Sequence, residues 1–414
     1  MHEDANVISR IAQAILKTGG LVGLGFSLPL QAQDPTTPVT PPQPEHPLVL
    51  GLPVRITEIP GRMNLEVIEG GVIRQDDWLV VLGGMKEDFT ASPSIQLRTP
   101  QGEWRPIGAR MLEARIDPRI VELSDDRLFV WGGYGGSART ELIQLVDGEL
   151  LKPRVAGSAR SITPPAGTDF SGASNPVRLA DDVVGLVVED QLHRYDTGRE
   201  GGWLQPIPLG HSLQGPTLAT TLEGSVLACG TDESGRGLQV VEIDVSNATT
   251  NAWPIGLETP ALGGRLHRLP DGRFLLIGWT RVGAGIEAGT ILVDPASKTV
   301  TTGPDLPVDG DRLNWISSRP VTEGVLVVAS ERPEATDGNE TTQPTAVGFL
   351  IRINPDRTLR VWGLSNMPPR RRPMLVPLGG RSAELLGGYR FGARGASMES
   401  TALLVNYGTG LIGD

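Results

Sequence analysis

WLVVLGG, residues 78–84, places five apolar residues between a polar turn at Asp77 and a pair of glycines. The same design returns as LFVWGG (128–133), VVGLVV (183–188), SVLACG (225–230), FLLIG (274–278), VLVVAS (325–330) and AELLGG (383–388). Counted from first residues 78, 128, 183, 225, 274, 325 and 383, the spacing stays between 42 and 58. Short runs of Val and Leu bounded by turns read as buried strands. Polar turns such as SDDR (124–127) and PDG (270–272) introduce them.

A second strand follows most of these runs and ends in an apolar residue with Asp or Asn. Tyr195-Asp196, Ile243-Asp244, Val293-Asp294 and Ile353-Asn354 are the instances. A tryptophan then follows at a similar phase: Trp104 after Leu97, Trp203 after Tyr195, Trp253 after Ile243 and Trp362 after Ile353. A repeat near 50 residues with several short strands is the mark of a propeller blade.

These residues resemble the kelch-repeat family. Its pattern is a Gly pair after the second strand, an aromatic on the third and Trp on the fourth. The pair stands intact at Gly83-Gly84, Gly132-Gly133 and Gly387-Gly388. It is reduced to Cys229-Gly230 and Ile277-Gly278, and is absent at Val187-Val188 and Ala329-Ser330. The family's Tyr survives at Tyr195, and its Trp at Trp104, Trp203, Trp253 and Trp362. The resemblance implies an all-β fold, a seven-bladed β-propeller of kelch type over residues 51–414, with about 52 residues per blade. The last blade lacks a fourth strand after residues 401–407. PVRITEIP (53–60) has no partners of its own and is expected to supply it, closing the ring and covering an exposed edge.

Composition agrees. Among 414 residues, 53 are Gly and 34 are Pro, which interrupts helices and argues against a helical bundle. The net charge of −11 makes nucleic acid an unsuitable partner, because phosphate binding needs a basic field. No run of 18 apolar residues spans a bilayer. A single cysteine, Cys229, excludes an intrachain disulfide framework and any thiolate metal cluster.

Residues 1–50 read differently. Arg10 and Lys17 precede TGGLVGLGFSLPL (18–30) and a small residue, Ala32. That order predicts a secretory signal peptide over 1–32, hence a periplasmic or secreted protein. QDPTTPVTPPQPEHP (33–47) then reads as a Pro-rich, extended linker reaching to residue 50.

Catalytic chemistry is sparse. The copper radical oxidases similar to galactose oxidase share the propeller, and the resemblance implies a Cys–Tyr cross-link, a second Tyr and two His ligands. Cys229 lies in an apolar strand, and no Tyr-His pair adjoins in sequence, so no metal and no cofactor are expected. Asp305, Asp309 and Asp311 lack the ligand spacing of a calcium loop. The Gly-rich pieces at 132–136 and at Gly283 and Gly285 open no helix, so a phosphate cradle is unsupported.

Arginine placement carries more. Arg115, Arg265, Arg312 and the run 370–372, with Arg371 at its centre, recur near the starts of blades. Either they tie one blade to the next, or several converge at a channel mouth and bind carboxylates. Loops 231–237 and 331–344 either mark one face as the binding side or are tolerated surface insertions. Two functions remain open. One is a monomeric, exported, non-enzymatic domain recognising a protein or carbohydrate ligand, with anionic groups as candidates. The other is a sugar-acid isomerase, mutarotase or lyase using channel-mouth Arg. The first leads, because no motif supplies a catalytic set; His193, His211 and His267 are the imidazoles in the folded part, all in strand-like sequence.

Overall fold

The computed structural model describes residues 51–75, 77–123, 127–134, 140–144, 152–153, 172–198, 202–253, 255, 261–282, 285–308, 313–331, 346–368, 370, 372–392 and 395–408. The signal-peptide and linker expectations for 1–50 lie outside these residues. The described chain forms a seven-bladed β-propeller, with no α-helix among the described residues and none long and apolar enough to cross a membrane.

Blade 1 runs Gly71–Gln75, Trp78–Leu82, Ser92–Arg98 and Trp104–Arg115; blade 2 runs Arg119–Glu122, Arg127–Trp131, Glu141–Gln144 and Lys152–Pro153. Blade 3 is Val177–Ala180, Val183–Val188, Gln191–Asp196 and Gly202–Pro208; blade 4 is Gln214–Thr220, Val226–Thr231, Leu238–Asp244 and Thr249–Ala252. Blade 5 is Ala261–Arg268, Phe274–Val282, Gly285–Asp294 and Thr299–Thr302; blade 6 is Leu313–Val321, Gly324–Glu331, Ala346–Ile353 and Leu359–Leu364. Blade 7 takes Met374–Gly379, Ser382–Leu386 and Thr401–Tyr407 from the C-terminal part of the chain, and its outer strand, Val54–Arg62, from the start of the described chain. First strands touch in order around a closed ring.

Closure follows the expected pairing. Val54 stands opposite Tyr407, Ile56 opposite Val405 and Glu58 opposite Leu403. A second device was not foreseen: Gly51–Leu52 pairs in parallel with Gly363 and Leu364, so the same segment binds blade 6 before it completes blade 7. Blade 7 also carries an extra hairpin, Tyr389–Gly392 with Gly395–Met398, between its second and third strands.

All seven apolar runs are second strands, and packing explains why. Seven apolar cores lie one at each joint between neighbouring blades. Successive residues of a second strand alternate between the two joints flanking it. Leu227 and Cys229 pack toward blade 5, while Val226 and Ala228 pack toward blade 3. Both faces are buried, so both parities are apolar. Outer strands such as Thr249–Ala252 and Thr299–Thr302 are largely exposed and polar. Truncating a side chain such as fully buried Phe274 to Ala costs about 3–5 kcal/mol by the usual cavity effect.

The intact Gly pairs stop the second strand. Gly83 and Gly84 take φ of +65° and +103°, and Gly387 and Gly388 take +61° and +99°, a left-handed path that L side chains resist. Those strands end just before the pair, at Leu82 and Leu386. Where the pair is reduced, the strand runs on through Thr231 or Val282. The four tryptophans do not face one way. Trp104 and Trp203 pack toward the preceding blade, with Trp203 edge-on to Tyr195 at 5.2 Å; Trp253 and Trp362 pack toward the following one.

Candidate functional site

Strands alternate in direction, so the links between blades and the loops joining second to third strands share one end of the ring. At that end a cavity of about 550 Å³ lies among residues from blades 1, 2, 5, 6 and 7. Gly70 and Val72 enter from blade 1, Asp117 and Arg119 from the start of blade 2, and Arg265 from the first strand of blade 5. Trp315 and Arg319 come from blade 6, and Arg372 and Met374 from blade 7.

Local backbone sets two of these side chains. Register shifts interrupt the first strands of blades 5 and 6 immediately before Arg265 and Trp315. Such bulges re-aim the residue that follows. Gly264 precedes Arg265, and a Cβ there would meet Leu276 Cδ1 at 2.5 Å, so a larger residue would have to displace the buried Leu276 side chain.

Four guanidinium groups line the cavity with two carboxylates. Arg372 Nη1 lies 2.6 Å from Glu69 Oε1, and Arg119 Nη2 lies 3.0 Å from Asp117 Oδ2. Arg265 and Arg319 form no ion pair with a described carboxylate; Arg319 Nη1 donates to Ser318 O at 3.3 Å. Burial, with the charges of Arg319 and Arg119, pushes Arg265 down to about 9 against the pull of Asp117. Burial likewise lowers Arg319, with Asp117 opposing and Arg119 reinforcing. Glu69 is raised by burial and by Asp117, though Arg372 draws it down. Beside this cluster His267 is pushed to about 3 by burial and by Arg265 and Arg319, so it stays neutral at ordinary pH. Its Nε2 shares a 2.6 Å hydrogen bond with Ser318 Oγ.

The arginines singled out in the sequence divide. Arg265 lines the cavity, as does Arg372 of the run 370–372. Arg312 and Arg371 lie outside the described residues, as do Asp309, Asp311 and loop residues 332–345. Arg115 closes the fourth strand of blade 1 rather than opening a first strand, and has no exposed surface. Its Nη1 donates to Gly132 O at 2.7 Å, and Nη2 lies 3.3 Å from Glu141 and 3.5 Å from Glu113. Arg370 repeats the arrangement. It stands four residues before its blade's first strand, as Arg115 does, and Nη1 reaches Gly387 O, 17 residues on, as Arg115 reaches Gly132. Its Nη2 donates to Thr401 Oγ1 at 2.6 Å and lies 3.9 Å from Glu399. These two arginines clamp the loop after the second strand to the link between blades.

Arg119, Arg319, Glu69 and Asp117 were missed by sequence reasoning. One signal was present: Arg119 and Arg265 each stand nine residues before a second-strand run, at 128 and 274. His193 is buried edge-on to Trp203, and His211 is exposed in the link between blades 3 and 4 rather than in a strand. Burial pushes the Cys229 thiol up to about 12, which leaves it an inert apolar group. Among the described residues no group of three or more His, Cys, Asp or Glu is placed to hold a metal ion.

The same end of the ring bears four of the five large exposed hydrophobics among the described residues. Leu65, Phe89, Leu112 and Tyr134 are exposed there, Phe89 at 71% and Tyr134 at 75%. Leu222 alone of the large exposed hydrophobics among the described residues lies in a turn at the opposite end. No protein-family model matches the chain, and no curated protein matches its sequence.

Proposed function

We propose that this chain is an exported, non-enzymatic β-propeller of kelch type that recognises a protein or glycan ligand by an anionic group, at the end of the ring where the cavity lies. The carrying observation is the unanswered charge of Arg265 and Arg319, held in a cavity without a described carboxylate in ion-pair reach. Partly buried guanidinium groups without an ion-pair partner are costly, and a carboxylate ligand answers them bidentately. The apolar rim at Phe89 and Tyr134 adds contact area suited to a macromolecular ligand. The Gly pairs, Tyr195 and the four tryptophans support the kelch assignment. Export rests on the apolar run 18–30, and mass spectrometry of the native N-terminus tests it: retention of residues 5–20 overturns it.

Binding is tested by calorimetric titration with acidic and neutral sugars and with acidic and neutral peptides. Acidic members bind, weaken with added salt, and lose affinity in Arg319→Gln. Equal binding of neutral counterparts overturns the reading. One observation favours the enzyme alternative, a sugar-acid isomerase, mutarotase or lyase: Glu69 lines the cavity with its carboxyl raised, as a general acid requires. Conversion of a bound sugar acid, followed by NMR and abolished in Glu69→Gln, would establish it in place of simple recognition.

A further inference from the structure

The cavity has a second lobe. A smaller space of about 260 Å³ adjoins it, and the two share Gly70, Val72, Asp117, Arg119, Arg265 and Arg319. Arg265 and Arg319 therefore border both spaces. The walls beyond them differ. The larger lobe presents Trp315 and Met374, the smaller one Asn175 and Pro176.

Charge sets how much anion the two lobes accept. Their described lining holds four guanidinium groups and two carboxylates, a formal surplus of two positive charges. Arg372 and Arg119 each already face one carboxylate. Arg265 and Arg319 are left over, and Arg265 is still protonated at neutral pH. One carboxylate answers only one of them. Two carboxylates on one short carbon chain answer both, and the shared wall at Val72 offers apolar contact to the carbons between.

We infer that the group bound here is a short-chain dicarboxylate, with one carboxylate in each lobe and Arg265 and Arg319 between them. This rests on the anion-recognition reading above. A compact dianion such as phosphate carries similar charge but fills one lobe, leaving the other side of the guanidinium pair unanswered.

The test is calorimetric titration of the full chain at pH 7.5 and fixed ionic strength, with glutarate, butyrate and inorganic phosphate as probes. Glutarate is expected to bind about tenfold tighter than butyrate, the gain of one further charge-assisted contact. Phosphate is expected to bind more weakly than glutarate. Arg265→Lys keeps the charge but removes the fork, and should bring glutarate to the level of butyrate. Arg319→Lys serves the same purpose if the first variant does not fold, as judged by its melting curve. Equal affinities for glutarate and butyrate overturn the dicarboxylate and leave anion recognition standing. Phosphate binding tighter than glutarate overturns it in favour of a compact dianion. Binding of none of the three removes the anion reading itself.

Discussion

Arg98 donates through Nη2 to both carboxylate oxygens of Glu384, at 2.7 and 2.5 Å, and so joins blade 1 to blade 7. Both residues are buried. Glu384 sits in a second strand between Ala383 and Leu385, at the parity that faces blade 1, where other blades place apolar side chains such as Val80, Phe129 and Leu227. The guanidinium also lies 5.7 Å from the centre of the Trp104 ring. The pair stands at the seam where the two ends of the described chain meet.

Removing one partner of this pair strands a buried charge. Glu384→Leu and Arg98→Met should each destabilise by about 3–5 kcal/mol in urea unfolding. The double variant should recover most of that loss, because a buried pair is about balanced by an apolar replacement. Losses that simply add in the double variant would show that the two side chains do not act together.

The outer strand of blade 7 is the other half of the seam. Val54 and Ile56 pack into the joint between blades 6 and 7, and Ile59 into that between blades 7 and 1. Each such side chain contributes up to about 1.5–3 kcal/mol. In a chain already starting at residue 51, removal of 51–62 should sharply lower the thermal midpoint and expose the edge of Thr401–Tyr407 to association. An unchanged midpoint would mean that this strand does not close the ring in solution.

His267 makes acid lability specific. Its folded value of about 3 lies below the ordinary 6.5, so the unfolded chain binds the extra proton. Stability from this group is complete above 6.5 and is lost as pH falls toward 3, about 3 kcal/mol by pH 4. His267→Gln keeps a hydrogen-bonding group opposite Ser318 and removes the titration. At pH 7 it should cost about 1 kcal/mol, and the fall in melting temperature from pH 7 to pH 4 should shrink. An identical fall in both proteins would assign acid lability to other groups.

Legibility followed burial. Second strands were visible because both faces pack on neighbouring blades, so nearly every residue is apolar and the run ends sharply. The closing strand was visible because residues 53–60 precede the first complete blade without partners of their own, and the last blade lacks a strand that pairs with 401–407. Gly51–Leu52 is too short to carry any pattern, and YRFG with GASM reads as loop until its pairing is seen. The cavity was mostly hidden for another reason. Its charged residues come one or two per blade from positions 69 to 372, so no local spacing gathers them. Arg115 and Arg119 make the point: four residues apart, one is a buried clamp and the other faces the cavity.

The channel arginines predict an exchange of stability for binding. A cation whose folded value is depressed, as Arg265 is to about 9 from 12.5, stabilises the fold only above its unfolded value; at neutral pH its charge works against folding. The causes are burial first, then Arg319 and Arg119. Replacing Arg265 with Gln removes that repulsion. Arg265→Gln should therefore raise the stability of the ligand-free protein by about 1–2 kcal/mol, less than the full shift because the half-buried group is partly screened. The same change should weaken binding of any anionic ligand at this end of the ring. Added sulfate should stabilise the native protein more than the variant, because an anion answers the surplus charge in one and finds less of it in the other. A variant less stable than the native protein, with the same response to sulfate, would place Arg265 among the structural clamps with Arg115 and Arg370.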